Sequence, residues 1–225
     1  RAFLDTSGVR QQADVSVLSP EVDSCYFQVL PEAVVAELPD LGSAWLANLR
    51  DLNVCSQKGL VERFDSTVGA GTILMPFGGK YQETPAIGMA ATLPVPSGET
   101  TTATIMTFGY NPLLAKWSPY HGALYAIVEA VTKIVALGGD YRRVRLTLQE
   151  YFEKLGKDAS RWGKPFSALL GAFYAQKELG IPAIGGKDSM SGTFMDLHVP
   201  PTLVAFAVAV KDMGKGEGTI ISQEF

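Results

Sequence analysis

The nine residues Ala183 to Ser191, Ala-Ile-Gly-Gly-Lys-Asp-Ser-Met-Ser, concentrate the groups best suited to chemistry on a phosphate. Paired glycines let backbone N–H groups approach an anion, Lys187 can neutralise its charge, and Asp188 can hold a divalent cation. Gly185, Gly186, Lys187, Asp188 and Ser189 are therefore candidate nucleotide-binding residues. The competing reading is a tight turn with an exposed lysine.

A second constellation runs through Ser118-Pro119-Tyr120-His121-Gly122-Ala123 into an apolar stretch that contains Glu129. A carboxylate among Ile127, Val128, Ala130 and Val131 has to find a partner. Lys133, four residues on, is in the favourable order for a helical ion pair. His121 at the helix start can cap and pack, or act as a catalytic group. The segment Asn53 to Leu60, followed by Arg63 to Gly69, reads as a polar turn between a helix and a strand; it contains Lys58 and Asp65.

The Gly-Gly-Lys-Asp-Ser string also mimics the loop of ATP pyrophosphatases, which should open a helix. The sequel, Gly192 to Pro201, cannot sustain one, because it ends on Pro200-Pro201 and is rich in turn formers.

The elements that must position these groups follow from hydrophobic period. Leu30 to Leu52 predicts one or two short helices, interrupted at Pro39-Asp40. Thr72 to Phe77, Ala86 to Leu93 and Thr102 to Phe108 read as successive strands and imply antiparallel pairing. Tyr120 to Leu137 carries a broad apolar face and stops at Gly138-Gly139, which predicts a helix. Val144 to Leu148 alternates as a strand, and Pro165 is expected to open a second long helix that ends at Gly180. Ile181 to Ile184 reads as a short strand, Gly185 to Pro201 as a loop, and Leu203 to Val210 as a central strand. The order predicts an α+β fold: a mainly antiparallel sheet with helices on one face, and a second face lacking a cover.

Nearly half of the 225 residues are apolar, enough for a sizeable core, and the net charge of −4 with scattered Lys and Arg disfavours nucleic acid and anionic membranes as partners. No run approaches the roughly 20 apolar residues of a membrane span. Cys25 and Cys55 have no metal-ligand spacing, and reduced thiols with a cytoplasmic location are expected. Arg1 in place of Met, and the polar tail Gly214 to Phe225, suggest a fragment: residues 1–52 a helical lead-in, 53–211 the α+β domain, 212–225 a linker to a following domain.

The Asn53 to Gly69 segment, the Ser118 to Gly139 helix and the Gly-Gly-Lys-Asp-Ser-Met-Ser string occur in the order found in phosphoribosylformylglycinamidine synthases. Tyr151 to Lys157 and Leu170 to Gln176 also resemble one bacterial branch of that family, so the likeness runs from about Leu52 to Val210. The large single-chain form contains two copies of a module shared with aminoimidazole ribonucleotide synthetase, paired through their sheets, and this chain resembles the N-terminal subdomain of the second copy. The resemblance implies a ligase of purine biosynthesis: ATP phosphorylates the amide oxygen of formylglycinamide ribonucleotide, and ammonia from glutamine displaces phosphate. The catalytic histidine motif belongs to the first copy and the glutaminase cysteine to a separate domain. The chain by itself is accordingly expected to be inactive, with the other domains of the enzyme as its partners and a homodimer open to it in their absence.

The resemblance further implies an auxiliary site for magnesium-bound ADP or ATP. Glu129 and Asp188 match two of its metal ligands, whereas Lys133 stands where the family has an asparagine and Ala86 to Gly88 supplies no carboxylate. The family's lysine falls on Lys58 in one alignment and on Gln57 in the other, and Lys58 and Asp65 are expected to join the nucleotide-binding residues. Lys133 is expected to bridge Glu129 and Asp188 in place of magnesium, which makes the site vestigial. A stand-alone homodimeric nucleotide-binding or phosphoryl-transfer module is the alternative, and a scaffolding domain without ligand is a third; the depleted carboxylate set argues against the former.

Overall fold

The computed structural model describes residues 13–20, 40–52, 54–64, 71–214 and 220. Five strands form the main sheet, in the order β3-β4-β9-β5-β6. These are β3 (Met89–Thr92), β4 (Thr102–Gly109), β5 (Arg145–Tyr151), β6 (Ala183–Ser189) and β9 (Thr202–Asp212); β1 (Phe77–Gly78) with β2 (Thr84–Pro85), and β7 (Thr193–Phe194) with β8 (Leu197–His198), are separate two-stranded ribbons. All main-sheet pairs are antiparallel except β5 with β6. The α+β expectation holds, with β9 central as its apolar run predicts.

Two long helices, α4 (Pro119–Ala136) and α5 (Ala159–Leu179), pack on each other, and α4 lies over β4 and β9. Alternation decides which face they cover. Leu203, Ala205, Ala207 and Ala209 of β9 are buried, as are Ala103 and Ile105 of β4, and small alanines let the helices come close. The opposite face keeps Met89, Phe108 and Val210 exposed. Among the described residues, apolar side chains thus stay exposed on the face away from the two long helices.

Shorter helices are α1 (Leu41–Arg50), α2 (Lys58–Phe64) and α3 (Pro112–Trp117). Asp40 caps α1, with its carboxylate accepting from Ser43 N at 2.8 Å. The rest of the predicted Leu30 to Leu52 helical stretch, residues 30–39, lies outside the described residues, as does Cys25; Cys55 is a free thiol. The polar turn expected from Asn53 to Leu60 gives way to α2 at Lys58.

Three element expectations are corrected. Helix α5 begins six residues before Pro165, because Asp158 caps it by accepting from Ser160 N and Arg161 N. Pro165 sits inside the helix and is buried there; it forfeits one helical hydrogen bond, while buried Gly163, Ser167 and Ala168 hold both flanks against the core. Gly180, with φ at +67°, ends the helix as expected. The second correction concerns Gly185 to Ser189, which is not a loop but the greater part of edge strand β6; the hairpin β7–β8 follows it. Finally, Thr72 to Phe77 forms only an isolated bridge, Thr72 to Ala91, and the start of β1.

Among the described residues no helix is long and apolar enough to cross a membrane.

Candidate functional site

Strand β6 lies parallel to β5, so residues paired in register project to the same side of the sheet. Gln149 pairs with Lys187, Glu150 with Asp188 and Tyr151 with Ser189. On β5, Leu146 and Leu148 face the helices and are buried, and the period of two puts Glu150 with them. Asp188 then stands beside Glu150 on the helical side. Lys187 faces the other way, and its ammonium lies 4.0 Å from the centre of the Tyr151 ring.

The glycine pair enables this edge. A Cβ on Gly186 would stand 2.1 Å from the carbonyl oxygen of Leu148, so only glycine permits β6 to lie this close to β5. Ser189 O accepts from Phe152 N at 2.8 Å, and the Ser189 hydroxyl pairs with that of Ser191 at 3.1 Å.

A cavity of about 610 Å³ opens between this edge and α5; its walls include Trp162, Phe166 and Leu169 together with Glu150, Gly186 and Asp188. Burial, and then the charge of Asp188, push the Glu150 carboxyl above its ordinary value. Glu150 escaped the sequence reading, although the alternation Leu146, Leu148, Glu150 carries the signal. The apolar wall from α5 could not be assigned to this edge without the tertiary fold.

Glu129 is elsewhere. Its carboxylate accepts from Tyr110 N at 3.1 Å and pairs with Lys133 at 2.6 Å. The Lys133 ammonium also donates to the Phe108 carbonyl at 2.9 Å and lies 4.7 Å from the Phe108 ring centre. Strands β9 and β5 stand between β4 and β6, which is about 14 Å of sheet at the usual strand spacing. The expected bridge from Lys133 to Asp188 is therefore corrected: Lys133 ties Glu129 to the end of β4, and Asp188 has Glu150 as its acidic neighbour.

Of the remaining sequence candidates, Lys58 and His121 do not line this cavity. Lys58 pairs with Glu62 at 3.9 Å and lies 5.7 Å from the Phe77 ring centre. Asp65 is outside the described residues. His121 sits in the first turn of α4 and packs there: Ser118 is the cap, its hydroxyl accepting from His121 N at 3.3 Å and bonded to Nδ1 at 2.8 Å, and the imidazole ring lies against Trp117 and Tyr120.

No group of three or more His, Cys, Asp or Glu that could hold a metal occurs among the described residues. Magnesium, however, is commonly held by one or two carboxylates with phosphate oxygens and water completing its shell. The Glu150–Asp188 pair fits that requirement, whereas Glu129 and Asp188 do not fit it within one chain.

No protein-family model matches the chain. The phosphoribosylformylglycinamidine synthase subunit PurL of Thermoplasma acidophilum is 26% identical over 189 residues, 80% of this chain and 23% of the relative. That of Pyrobaculum calidifontis is 27% identical over 180 residues, 79% of this chain and 24% of the relative. The chain thus spans about a quarter of the length of these curated relatives. Among solved structures, Thermotoga maritima PurL complexed with ADP superposes with a TM-score of 0.57 at 18% identity, covering 88% of this chain and 28% of that one. The T. maritima PurLQS structure gives 0.55 at 20% identity over 70% of this chain and 24% of the other. In motif order, in sequence over most of its length and in fold, this chain is similar to a segment of phosphoribosylformylglycinamidine synthase subunit PurL.

Proposed function

We propose that the chain is one synthetase-like domain of a ligase that converts formylglycinamide ribonucleotide to the amidine with ATP and glutamine, and that it is inactive alone. The observation that carries this reading is the curated similarity to PurL over four fifths of the chain, in which the Gly-Gly-Lys-Asp-Ser string falls on a cavity edge. Solved T. maritima PurL has been captured with ATP and with formylglycinamide ribonucleotide, FGAR.

On this reading residues 53–211 form the working domain, flanked by a lead-in (1–52) and a linker (212–225), in a cytoplasmic enzyme. The exposed sheet face docks on a companion synthetase-like module, and a glutaminase supplies ammonia. Gly185, Gly186, Lys187, Asp188 and Ser189 line the nucleotide edge; Glu150 and Asp188 would hold magnesium there. The bound ion would offset the negative charge of the nucleotide phosphates. Trp162 and Phe166 offer the apolar wall against which a base would lie. Lys58 and Asp65 serve the same nucleotide only if the companion module brings α2 toward β6.

The test is reconstitution. The purified chain, given ATP, glutamine and formylglycinamide ribonucleotide, should form no amidine; adding the first synthetase-like module and the glutaminase should restore turnover. Turnover by the chain alone, or no dependence of the mixture on the chain, would overturn the proposal.

A further inference from the structure

A second cavity, about 720 Å³, lies on the other side of α5 from the β6 edge, enclosed by the start of α5, the junction of α3 and α4, and the β8 end of the hairpin. The segment 16–20 forms one wall: Ser16 N donates to Ala159 O at 2.9 Å, and the segment crosses α5 at Gly163, where a Cβ would stand 2.0 Å from Ser16 O. The volume suits a small organic ligand.

Its polar groups are organised around Glu153, which is 5% exposed. That carboxylate pairs with Lys164, with Arg161 Nε at 3.4 Å and with His198 Nδ1 at 3.8 Å. Its charge is thereby matched, but two lining groups are not used. The Lys116 ammonium makes no ion pair among the described residues. Ser167, 8% exposed, lines the cavity, and its hydroxyl bonds to none of the described residues. A buried hydroxyl left without a partner is costly, and a ligand acceptor would relieve that cost. Among the lining side chains Lys116 and Lys164 outnumber the single carboxylate of Glu153 by one charge. Trp117 and Pro200 add apolar walls.

We infer that this cavity binds a small organic carboxylate. One negative charge matches the one surplus cation; Lys116 and the Ser167 hydroxyl bind the carboxylate oxygens, and the apolar body lies against Trp117 and Pro200. The site is separate from the Glu150–Asp188 edge and does not depend on the ligase reading.

The experiment is amide-resolved NMR titration of the full 225-residue chain with phenylacetate, phenyl phosphate and benzyl alcohol. Phenylacetate should shift the resonances of Ser167, Trp117 and His198, and benzyl alcohol should leave them in place. Lys116→Glu, at an exposed position, should weaken phenylacetate at least tenfold; Ser167→Ala should weaken it severalfold; Asp188→Asn should not change it. Equal affinity in the Lys116→Glu and parent chains, shifts confined to other surfaces, or no shifts at millimolar probe would each overturn the inference. Tenfold tighter binding of phenyl phosphate than of phenylacetate would overturn the carboxylate assignment.

Discussion

Glu150 and Asp188 stand side by side on the two parallel strands of the sheet, and the Glu150 carboxyl consequently holds its proton more tightly than an exposed glutamate does. Burial is the larger cause and the neighbouring negative charge the second.

The pairing has a sign in stability. The folded chain binds the Glu150 proton above the ordinary value of 4.5, so between that value and the folded one it holds more protons than the unfolded chain. Stability contributed by protonated Glu150 is full below about 4.5 and is lost as pH rises through the folded value. In chelator-treated protein, the stability advantage of Glu150→Gln over the parent should therefore grow with pH across this window and level off above it. Urea denaturation at a series of pH values measures it; a constant difference between the two proteins would refute the assignment. Asp188→Asn should move the parent's transition toward lower pH.

Lys133 joins Glu129 to the Phe108 carbonyl at the end of β4. Replacing it with Met should remove a half-exposed ion pair and one hydrogen bond to a backbone carbonyl, for a loss of about 1–2 kcal/mol. Thermal unfolding reads this. Because two strands stand between β4 and the strand that carries Asp188, the double variant Lys133→Met with Asp188→Asn should show additive losses; coupling beyond about 0.5 kcal/mol would restore a direct link between them.

Phe108 is 53% exposed on the sheet face away from the two long helices, 6.3 Å from the Phe206 ring centre to centre. A face of this kind favours association with a second sheet. Phe108→Ser should lower self-association of the isolated chain, measured by light scattering across a concentration series, while changing its unfolding midpoint little. Unchanged association would show that this face is not the one that docks.

Much of the fold was legible because it is written in local period. The apolar face of Tyr120 to Leu137, the glycine stop at Gly180 and the apolar run Leu203 to Val210 each appear as expected, since one buried face leaves a repeat of 3.6 or 2 residues. The start of α5 escapes the local pattern because Pro165 looks like a helix opener, whereas the Asp158 cap seven residues upstream satisfies free N–H groups of the first turn.

The candidate site divides in the same way. Sequence by itself determined that Gly185 to Ser189 carry a glycine pair, a cation and a carboxylate, because residue type alone sets what those groups can do. Tertiary structure decided that they form an edge strand, that Asp188 meets Glu150 rather than Glu129, and that Trp162 and Phe166 wall the cavity. Those contacts depend on which strands pair and which helix lies across them. Such pairings minimise exposed apolar surface over the whole chain and leave no mark in any short stretch of it.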